Sequence, residues 1–319
     1  MSLPDISVLV IAYNHEKYIK ECLNSILEQN YPGNVQVVIG EDGSTDRTRD
    51  AIRDTTVVPP PNFEINLLED IGNIGMMQNF ARTYAACKYD FVAICEGDDF
   101  WIDKNKLQKQ VDFLHSNPEF TICHHQVLVE RNGKLEKDSI TRTVESTTDF
   151  QELCKGNFIH TPSVVFRKQV DNLPEWFVDS KVGDYVLHLY NTKDGGKIKK
   201  LPIKAAVYRV HEGGAWSDIE QEKKLKSIIS YHQVLLGKFG DAADQSFKLR
   251  LAECNLALYQ LLSKKGEEEQ AEKHMTEAKQ HMGIEELIGL QAEKEFASKR
   301  GLSHLWLNLK KRIKKAFNG

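Results

Sequence analysis

The sequence predicts an α/β fold with a mostly parallel sheet flanked by helices and an all-helical C-terminal extension. Three observations support this. Short apolar runs typical of buried strands alternate with helical patterns over roughly the first 115 residues. Polar and acidic residues directly follow several of these runs. From Asp218 onward the chain is rich in Lys, Glu, Gln and Ala, which places a domain boundary between residues 217 and 218.

Strands and helices alternate in the first part of the chain. The strands are predicted at Ile6–Tyr13, Val35–Ile39, Phe63–Leu68 and Phe91–Cys95. The intervening helices are predicted at Tyr18–Gln29, Arg47–Arg53, Asn73–Cys87 and Lys104–His115. Asn14 and Asp46 are predicted to cap the first two helices. Strands joined in this way through helices pair in parallel.

The pattern becomes less regular after residue 115. A hairpin is predicted for Phe120–Glu130 and Lys134–Leu135 around Asn132-Gly133. Short helices are predicted at Phe150–Cys154 and Asp184–Tyr190, and strands at Ser163–Phe166 and Ile198–Val210. In the extension, the Ala/Leu pattern of Leu251–Gln280 around Gly266 indicates a helical hairpin.

Composition narrows the class of protein. The 319 residues carry a net charge of −4, which does not favour a nucleic-acid partner. No apolar run reaches the length of a membrane span, and the N-terminus lacks the pattern of a signal peptide. The six cysteines include no CxxC pair, so buried free thiols in a reducing compartment are predicted. These features together predict a cytoplasmic protein.

The stretch Phe91–Trp101 carries the strongest chemical signal. A buried strand ends in Glu96, Asp98 and Asp99, with Gly97 among them. Carboxylates this close repel one another, so they favour a divalent cation such as Mn²⁺ or Mg²⁺; a solvated acidic turn is the alternative. The residues after the first strand, Tyr13–Glu16, include no glycine, so a bound diphosphate would need a metal rather than backbone amides. Asp42 and Tyr13 are predicted to share this cleft.

Several motifs together resemble one known family. They are VLVIAYNHEKYIKECLNSILEQ, EDGSTDRT, NIGMMQNFARTYA and EGDDFW. They resemble family 2 glycosyltransferases with a GT-A fold, and the likeness extends from Ile6 to Ser217. It implies inverting transfer from a nucleotide-sugar, here a UDP-sugar, to a glycan or lipid-linked saccharide, as in polysaccharide biosynthesis for a bacterial cell surface.

The resemblance also implies roles for individual residues. Ala12, Tyr13 and Asp42 match positions that hold the base and the ribose. Glu96-Gly97-Asp98 matches the DxD motif, with Glu in place of its first Asp; Glu96 and Gly97 are then assigned to the nucleotide-sugar and Asp98 to the metal. Arg209 would stabilise the leaving diphosphate, and His211 would either do so as a cation or bind the metal.

Asp184, in Val182–Tyr185, matches the segment that supplies the catalytic base, although from its position alone it could equally cap a helix. Asp99 has no assigned role, and Trp101 could be an acceptor platform or a core residue. His124 and His125 are expected to be structural. His160–Ser163 could line the acceptor side.

Two other functional classes remain open from the residues. A nucleotidyltransferase would also place acids and Mg²⁺ on an α/β sheet, and a non-catalytic carbohydrate- or partner-binding module could use a degenerate scaffold. In the C-terminal segment Leu302–Phe317, apolar residues occupy one helical face and basic residues the other. Such a helix could contact an anionic membrane, or its apolar face could pack on the preceding helices.

Overall fold

The computed structural model describes residues 4–214, 220–282 and 289. The chain divides into two compact units at residue 218. The first unit contains the strands and the second contains three described helices. The segment Ala215–Ser217 and the basic helix predicted at Leu302–Phe317 lie outside the described residues, so the membrane hypothesis stays a prediction.

The described part of the first unit forms one ten-stranded sheet. Its strands are β1 (Ile6–Ala12), β2 (Val35–Glu41), β3 (Phe63–Leu67), β4 (Phe91–Ile94), β5 (Phe100–Trp101), β6 (Phe120–Arg131), β7 (Lys134–Lys137), β8 (Thr147–Thr148), β9 (Val165–Arg167) and β10 (Lys197–Val210). They lie in the order β3-β2-β1-β4-β9-β6-β10-β5, with β7 beside β6 and β8 beside β10. The pairs among β3, β2, β1 and β4 are parallel, as is the long pair of β6 with β10.

The described residues of the first unit form six α-helices: α1 (Ile19–Leu27), α2 (Thr48–Thr55), α3 (Met76–Ala85), α4 (Lys106–Ser116), α5 (Phe150–Cys154) and α6 (Gly183–Thr192). Residues Thr161–Ser163 and Glu175–Asp179 form short 3₁₀ turns. All residues of β1, β2 and β4 are buried, and apolar residues of α1 and α4 join them in the main core. Continuous apolar strands require cover on both faces of the sheet, and these helices provide it. The predicted α/β class is confirmed.

The second unit contains α7 (Gln221–Leu235), α8 (Asp241–Lys265) and α9 (Glu268–His281). The predicted helical hairpin is formed by α8 and α9, with Gly266 between them in the left-handed conformation. Glycine adopts the left-handed conformation without a steric penalty, and for that reason glycine commonly ends helices. No described helix is long and apolar enough to cross a membrane.

The predicted cap of α1 is wrong. The position before that helix is Tyr18, and Asn14 instead adopts a positive φ of 55° and accepts a hydrogen bond from the backbone of Thr45. Asp46 does support the first turn of α2, because its carboxylate accepts the N–H of Thr48 at 2.9 Å. An Asn side chain can bond to a neighbouring loop as readily as to a helix, so only the tertiary fold decides between these roles.

Lys106, the first residue of α4, is fully buried. Its Nζ lies 4.1 Å from the centre of the Trp101 ring and has no hydrogen-bond partner among the described residues. Burial lowers the pKa of Lys106 to about 7, because a charged amine loses its hydration there.

We expect Lys106→Met to change how stability depends on pH. An unfolded Lys keeps its proton up to about pH 10.4, so between about pH 7 and 10 the unfolded wild-type chain binds a proton that the folded chain lacks. Wild-type stability should therefore rise with pH relative to the variant, by up to ~1.4 kcal/mol per pH unit. Urea unfolding at about pH 6, 7.5 and 9 measures the difference.

The matched control is Lys104→Met, which removes the same charge from an exposed position in the same segment. It should leave the pH dependence of the wild type unchanged. The prediction fails if the free energies of unfolding of Lys106→Met and the wild type change in parallel over this pH range.

Candidate active site

The candidate site lies at the carboxyl ends of β1, β2 and β4, which are neighbours in the sheet. Two backbone bonds align these ends: the N–H of Asp42 donates to Ala12 at 3.0 Å, and that of Gly97 donates to Ile11 at 2.9 Å. Tyr13 follows β1 and is 44% exposed. One sheet edge therefore holds Ala12, Tyr13, Asp42 and Gly97, and this is the usual position for ligands in open α/β sheets.

Asp42 is buried at this edge and does not cap a helix. Its Oδ1 accepts the N–H of Ile74 at 2.9 Å, which links the end of β2 to the segment before α3. Gly43 makes this approach possible, because a Cβ there would lie 2.5 Å from the backbone nitrogen of Asn73. The EDGSTD and NIGMMQN motifs are thus in direct contact.

Glu96, Asp98 and Asp99 offer ligand oxygens within 4.8 Å of one another. Burial, and then the charges of neighbouring carboxylates, raise the pKa of Glu96 and of Asp99 well above the usual range. Burial acts on Asp98 in the same direction, but a hydrogen bond from His211 and the nearby His15 outweigh it, so the pKa of Asp98 is lowered. Asp98 is therefore the carboxylate that most favours its ionised form.

Asp98 and His211, both predicted metal ligands, are in contact. His211 Nε2 lies 3.0 Å from Asp98 Oδ2, and its Nδ1 lies 2.8 Å from the carbonyl of Glu212. The hydrogen bond with Asp98 raises the pKa of His211. Asp98 Oδ1 is buried without a hydrogen-bond partner among the described residues. A carboxylate oxygen and an imidazole nitrogen at this spacing fit a divalent metal ion.

His15 belongs to the same cluster, and the sequence analysis missed it. Its Nε2 lies 3.9 Å from Asp98 Oδ2, and the ligand atoms of His15, Asp98 and His211 all lie within 4.8 Å of one another. Burial lowers the pKa of His15 despite the nearby carboxylate. The available signal was its position: an imidazole shortly after the end of β1 lies at the same sheet edge as the acids that follow β4.

Arg209, predicted to stabilise the leaving diphosphate, is buried among aromatic and acidic side chains. Its guanidinium lies over the rings of Tyr18 and Phe100 and bonds to Glu21 at 2.7 Å. Its backbone N–H donates to Asp99 at 2.8 Å. The side chain is only 6% exposed, so it anchors β10 to the acidic turn and to α1. Contact with a diphosphate would require this arrangement to open.

Asp184 lies in the first turn of α6. Its Oδ2 is 3.3 Å from both the Asn157 amide and the Thr161 hydroxyl, and its Oδ1 accepts the N–H of Tyr185 at 2.7 Å. The residue does not cap α6, since that bond is to the next residue inside the helix. Its charge also contributes to the raised pKa of Glu96, after burial and the charge of Asp98.

Trp101 lies in the core rather than on a surface that an acceptor could contact. It is 4% exposed, and its Nε1 donates to the carbonyl of Pro162 at 3.0 Å. His124 and His125 are buried as well. Of the predicted acceptor-side segment, Thr161 contacts Asp184, and His160 lies 3.1 Å from Asp138.

The family follows from a direct match. Residues 7–173, just over half of the chain, match the model of glycosyl transferase family 2. The chain belongs to that family. The resemblance to family 2 glycosyltransferases stated from its motifs is confirmed.

Similarity to individual relatives extends beyond residues 7–173 of this family 2 member. Three uncharacterised mycobacterial proteins are 34% identical over 68% of this chain, and the alignment spans 62% of their own length. The Escherichia coli protein UDP-Glc:alpha-D-GlcNAc-diphosphoundecaprenol beta-1,3-glucosyltransferase WfaP is 25% identical. That alignment covers 72% of this chain and 90% of WfaP.

Two solved structures show the same fold. TarS 1–349 of S. aureus, in complex with UDP-GlcNAc, superposes with a TM-score of 0.64 at 19% identity, over 90% of this chain and 83% of that one. The mannosyltransferase PcManGT from Pyrobaculum calidifontis, with GDP-Man and Mn²⁺, gives 0.58 at 17% identity, over 99% and 86%. These similarities confirm the predicted GT-A fold.

Proposed function

We propose that this family 2 glycosyltransferase moves a sugar from a UDP-sugar to a hydroxyl of a glycan or lipid-linked saccharide, inverts the anomeric carbon and requires a divalent metal. The observation that carries the proposal is the arrangement of Asp98, His211 and Asp184. The first two offer metal ligands 3.0 Å apart, and the charge of the third acts on Glu96 in the same acidic turn. Inverting transfer requires these two elements, a charged group at the leaving diphosphate and a base at the acceptor.

The donor would lie along the ends of β1 and β2. Tyr13 offers an exposed aromatic ring for a base, and the backbone of Ala12 is fixed by its bond to Asp42. A uridine nucleotide is favoured because WfaP is named for UDP-Glc and TarS binds UDP-GlcNAc. Glu96 and Gly97 would then face the sugar and diphosphate.

Asp98 and His211 would hold Mn²⁺ or Mg²⁺, which supplies positive charge opposite the departing diphosphate. The metal in PcManGT is Mn²⁺. The contacts of Arg209 favour a supporting role in this chain, because that side chain holds the acidic turn against α1 and β10.

Asp184 would accept the proton of the acceptor hydroxyl as that oxygen attacks the anomeric carbon. Asn157 and Thr161 approach its Oδ2, and the N–H of Tyr185 fixes its Oδ1, so the carboxylate has a defined orientation. A lipid-linked acceptor is favoured by the name of WfaP, which specifies a diphosphoundecaprenol saccharide.

A panel of nucleotide-sugars tests the proposal. Each donor is incubated with the full chain and candidate saccharides, and nucleotide release is followed with Mn²⁺ or with EDTA. We expect UDP release from one UDP-sugar that increases with acceptor, stops in EDTA and returns with Mn²⁺. The anomeric configuration of the product, read by NMR, should be opposite to that of the donor.

Different results would contradict different parts of the proposal. Undiminished turnover in EDTA would exclude the metal requirement, and exclusive use of GDP-sugars would exclude the UDP donor. Retention of the donor configuration would exclude inversion.

A further inference from the structure

The loop that carries His15 is tied to the loop after β2. The N–H of His15 donates to Thr48 Oγ1 at 2.7 Å. The backbone N–H of Asn14 donates to Ser44 Oγ at 2.9 Å, and its side-chain oxygen accepts the N–H of Thr45 at the same distance. These bonds compensate the positive φ of Asn14, which is uncommon for a residue with a side chain.

Glu16 continues the connection in both directions. Its N–H donates to Asp46 at 3.1 Å, and its own carboxylate accepts the N–H of Arg47 at 3.0 Å. The EDGSTDRT motif thus braces the backbone on both sides of His15. These bonds fix the backbone from which the His15 ring extends, just before α1 begins.

The turn at Gly97 leaves space for the His15 ring. A Cβ on Gly97 would lie 2.9 Å from His15 Nδ1, closer than carbon and nitrogen approach without bonding. This nitrogen is buried and has no hydrogen-bond partner among the described residues. The nitrogen that approaches Asp98 is the other one, Nε2, at 3.9 Å, so the close contact of Nδ1 with Gly97 holds the ring with Nε2 toward the cluster.

The geometry of the three side chains suits one ion. Ligands about 2.1 Å from an octahedral ion lie about 3.0 Å apart when adjacent and about 4.2 Å apart when opposite. His211 lies 3.0 Å and His15 lies 3.9 Å from the same oxygen of Asp98. The two imidazole rings are nearly perpendicular, with centres 6.2 Å apart. Small side-chain movements would therefore bring all three to one ion.

We propose that His15 is a third protein ligand of the metal site. The imidazoles of His15 and His211, together with the Asp98 carboxylate, then select transition ions such as Mn²⁺ and Co²⁺ over Mg²⁺. Mg²⁺ strongly prefers oxygen ligands, whereas imidazole nitrogen suits transition ions. The inference rests on the metal dependence of the proposed function, but it concerns binding of the ion itself and can be tested without transfer.

Metal binding to the full chain provides the test. Dissociation constants for Mg²⁺, Mn²⁺ and Co²⁺ are measured by calorimetry, with and without UDP, for the wild type, His15→Gln and the control His115→Gln. The control removes an exposed imidazole from α4. We expect His15→Gln to weaken Mn²⁺ and Co²⁺ binding by at least about tenfold and to change Mg²⁺ binding little. The control should match the wild type.

Pulsed EPR of bound Mn²⁺ gives a second readout, which counts the nitrogen ligands directly. The wild type should show couplings from two imidazole nitrogens, and His15→Gln should show one. The bond from His15 to Thr48 uses the backbone N–H of His15, which the variant retains. We therefore expect His15→Gln to keep the fold, and circular dichroism checks this.

One imidazole nitrogen in the wild type, or unchanged Mn²⁺ affinity in His15→Gln, would overturn the inference. If the wild type transfers sugar with Mn²⁺ but shows one nitrogen, the proposed function survives alone. If two nitrogens are seen but no nucleotide-sugar is used, the metal site survives alone.

Discussion

Asp98→Asn is expected to lower kcat for sugar transfer by about a thousandfold or more while the protein stays folded. Among the three clustered acids, Asp98 alone has a lowered pKa, so it supplies the stable negative charge that a metal ion needs. An amide has the same shape but neither that charge nor comparable affinity for a divalent ion. The rate of UDP release at saturating donor and Mn²⁺ measures the effect.

The stability of this variant separates a chemical effect from unfolding. Removing the charge of Asp98 relieves repulsion with Glu96 and Asp99, while His211 loses its ionised partner. We expect these changes to offset largely, so the thermal midpoint of the metal-free protein should stay close to that of the wild type. Asp112→Asn, which changes an exposed acid on α4, is the matched control and should retain full activity. If Asp98→Asn transfers sugar at a rate within about tenfold of the wild type, Asp98 does not bind an essential metal ion.

Asp184→Asn is expected to slow transfer by about a hundredfold to ten-thousandfold while donor binding is retained. The amide cannot accept the proton of the acceptor hydroxyl. It keeps the size of the carboxylate beside Asn157 and Thr161, so the site should keep its shape. Single-turnover rates and the dissociation constant of the UDP-sugar, measured on the same preparation, separate chemistry from binding.

The control for this variant is Asp179→Asn, which alters an exposed carboxylate shortly before α6. It should transfer sugar at the wild-type rate. If Asp184→Asn retains a rate within a few-fold of the wild type, Asp184 is not the base. If it also loses the donor, its role is in binding rather than in proton transfer.

Most strands of the sheet could be predicted from the sequence because buried strands appear as continuous apolar runs. In β1, β2 and β4 every residue is apolar or buried, and such runs have few alternatives in a chain of this length. The same pattern predicted that residues following these strands would meet, since the carboxyl ends of parallel strands lie at one edge. Asp42 and Asp98 lie at the same edge of the sheet for this reason.

Side-chain partnerships could not be predicted in the same way. Arg209 has the charge that a diphosphate requires, yet its neighbours in the fold are Glu21 and two aromatic rings. From the sequence, Trp101 could equally have faced an acceptor, but in the fold its Nε1 donates to the carbonyl of Pro162 inside the core. Both outcomes depend on residues far apart in the chain, and no local pattern records them.

The sequence by itself determined the α/β class, the buried strands and the motifs of a glycosyltransferase, because hydrophobic periodicity and short motifs are local properties of a chain. Only the tertiary structure decided which of the clustered acids has a lowered pKa and which side chains could share an ion with it. Asp98 and His211 are 113 residues apart, and their hydrogen bond lowers the pKa of one and raises that of the other. His15 joins them because β1 and β4 are neighbours in the sheet and Gly97 leaves its ring the necessary space.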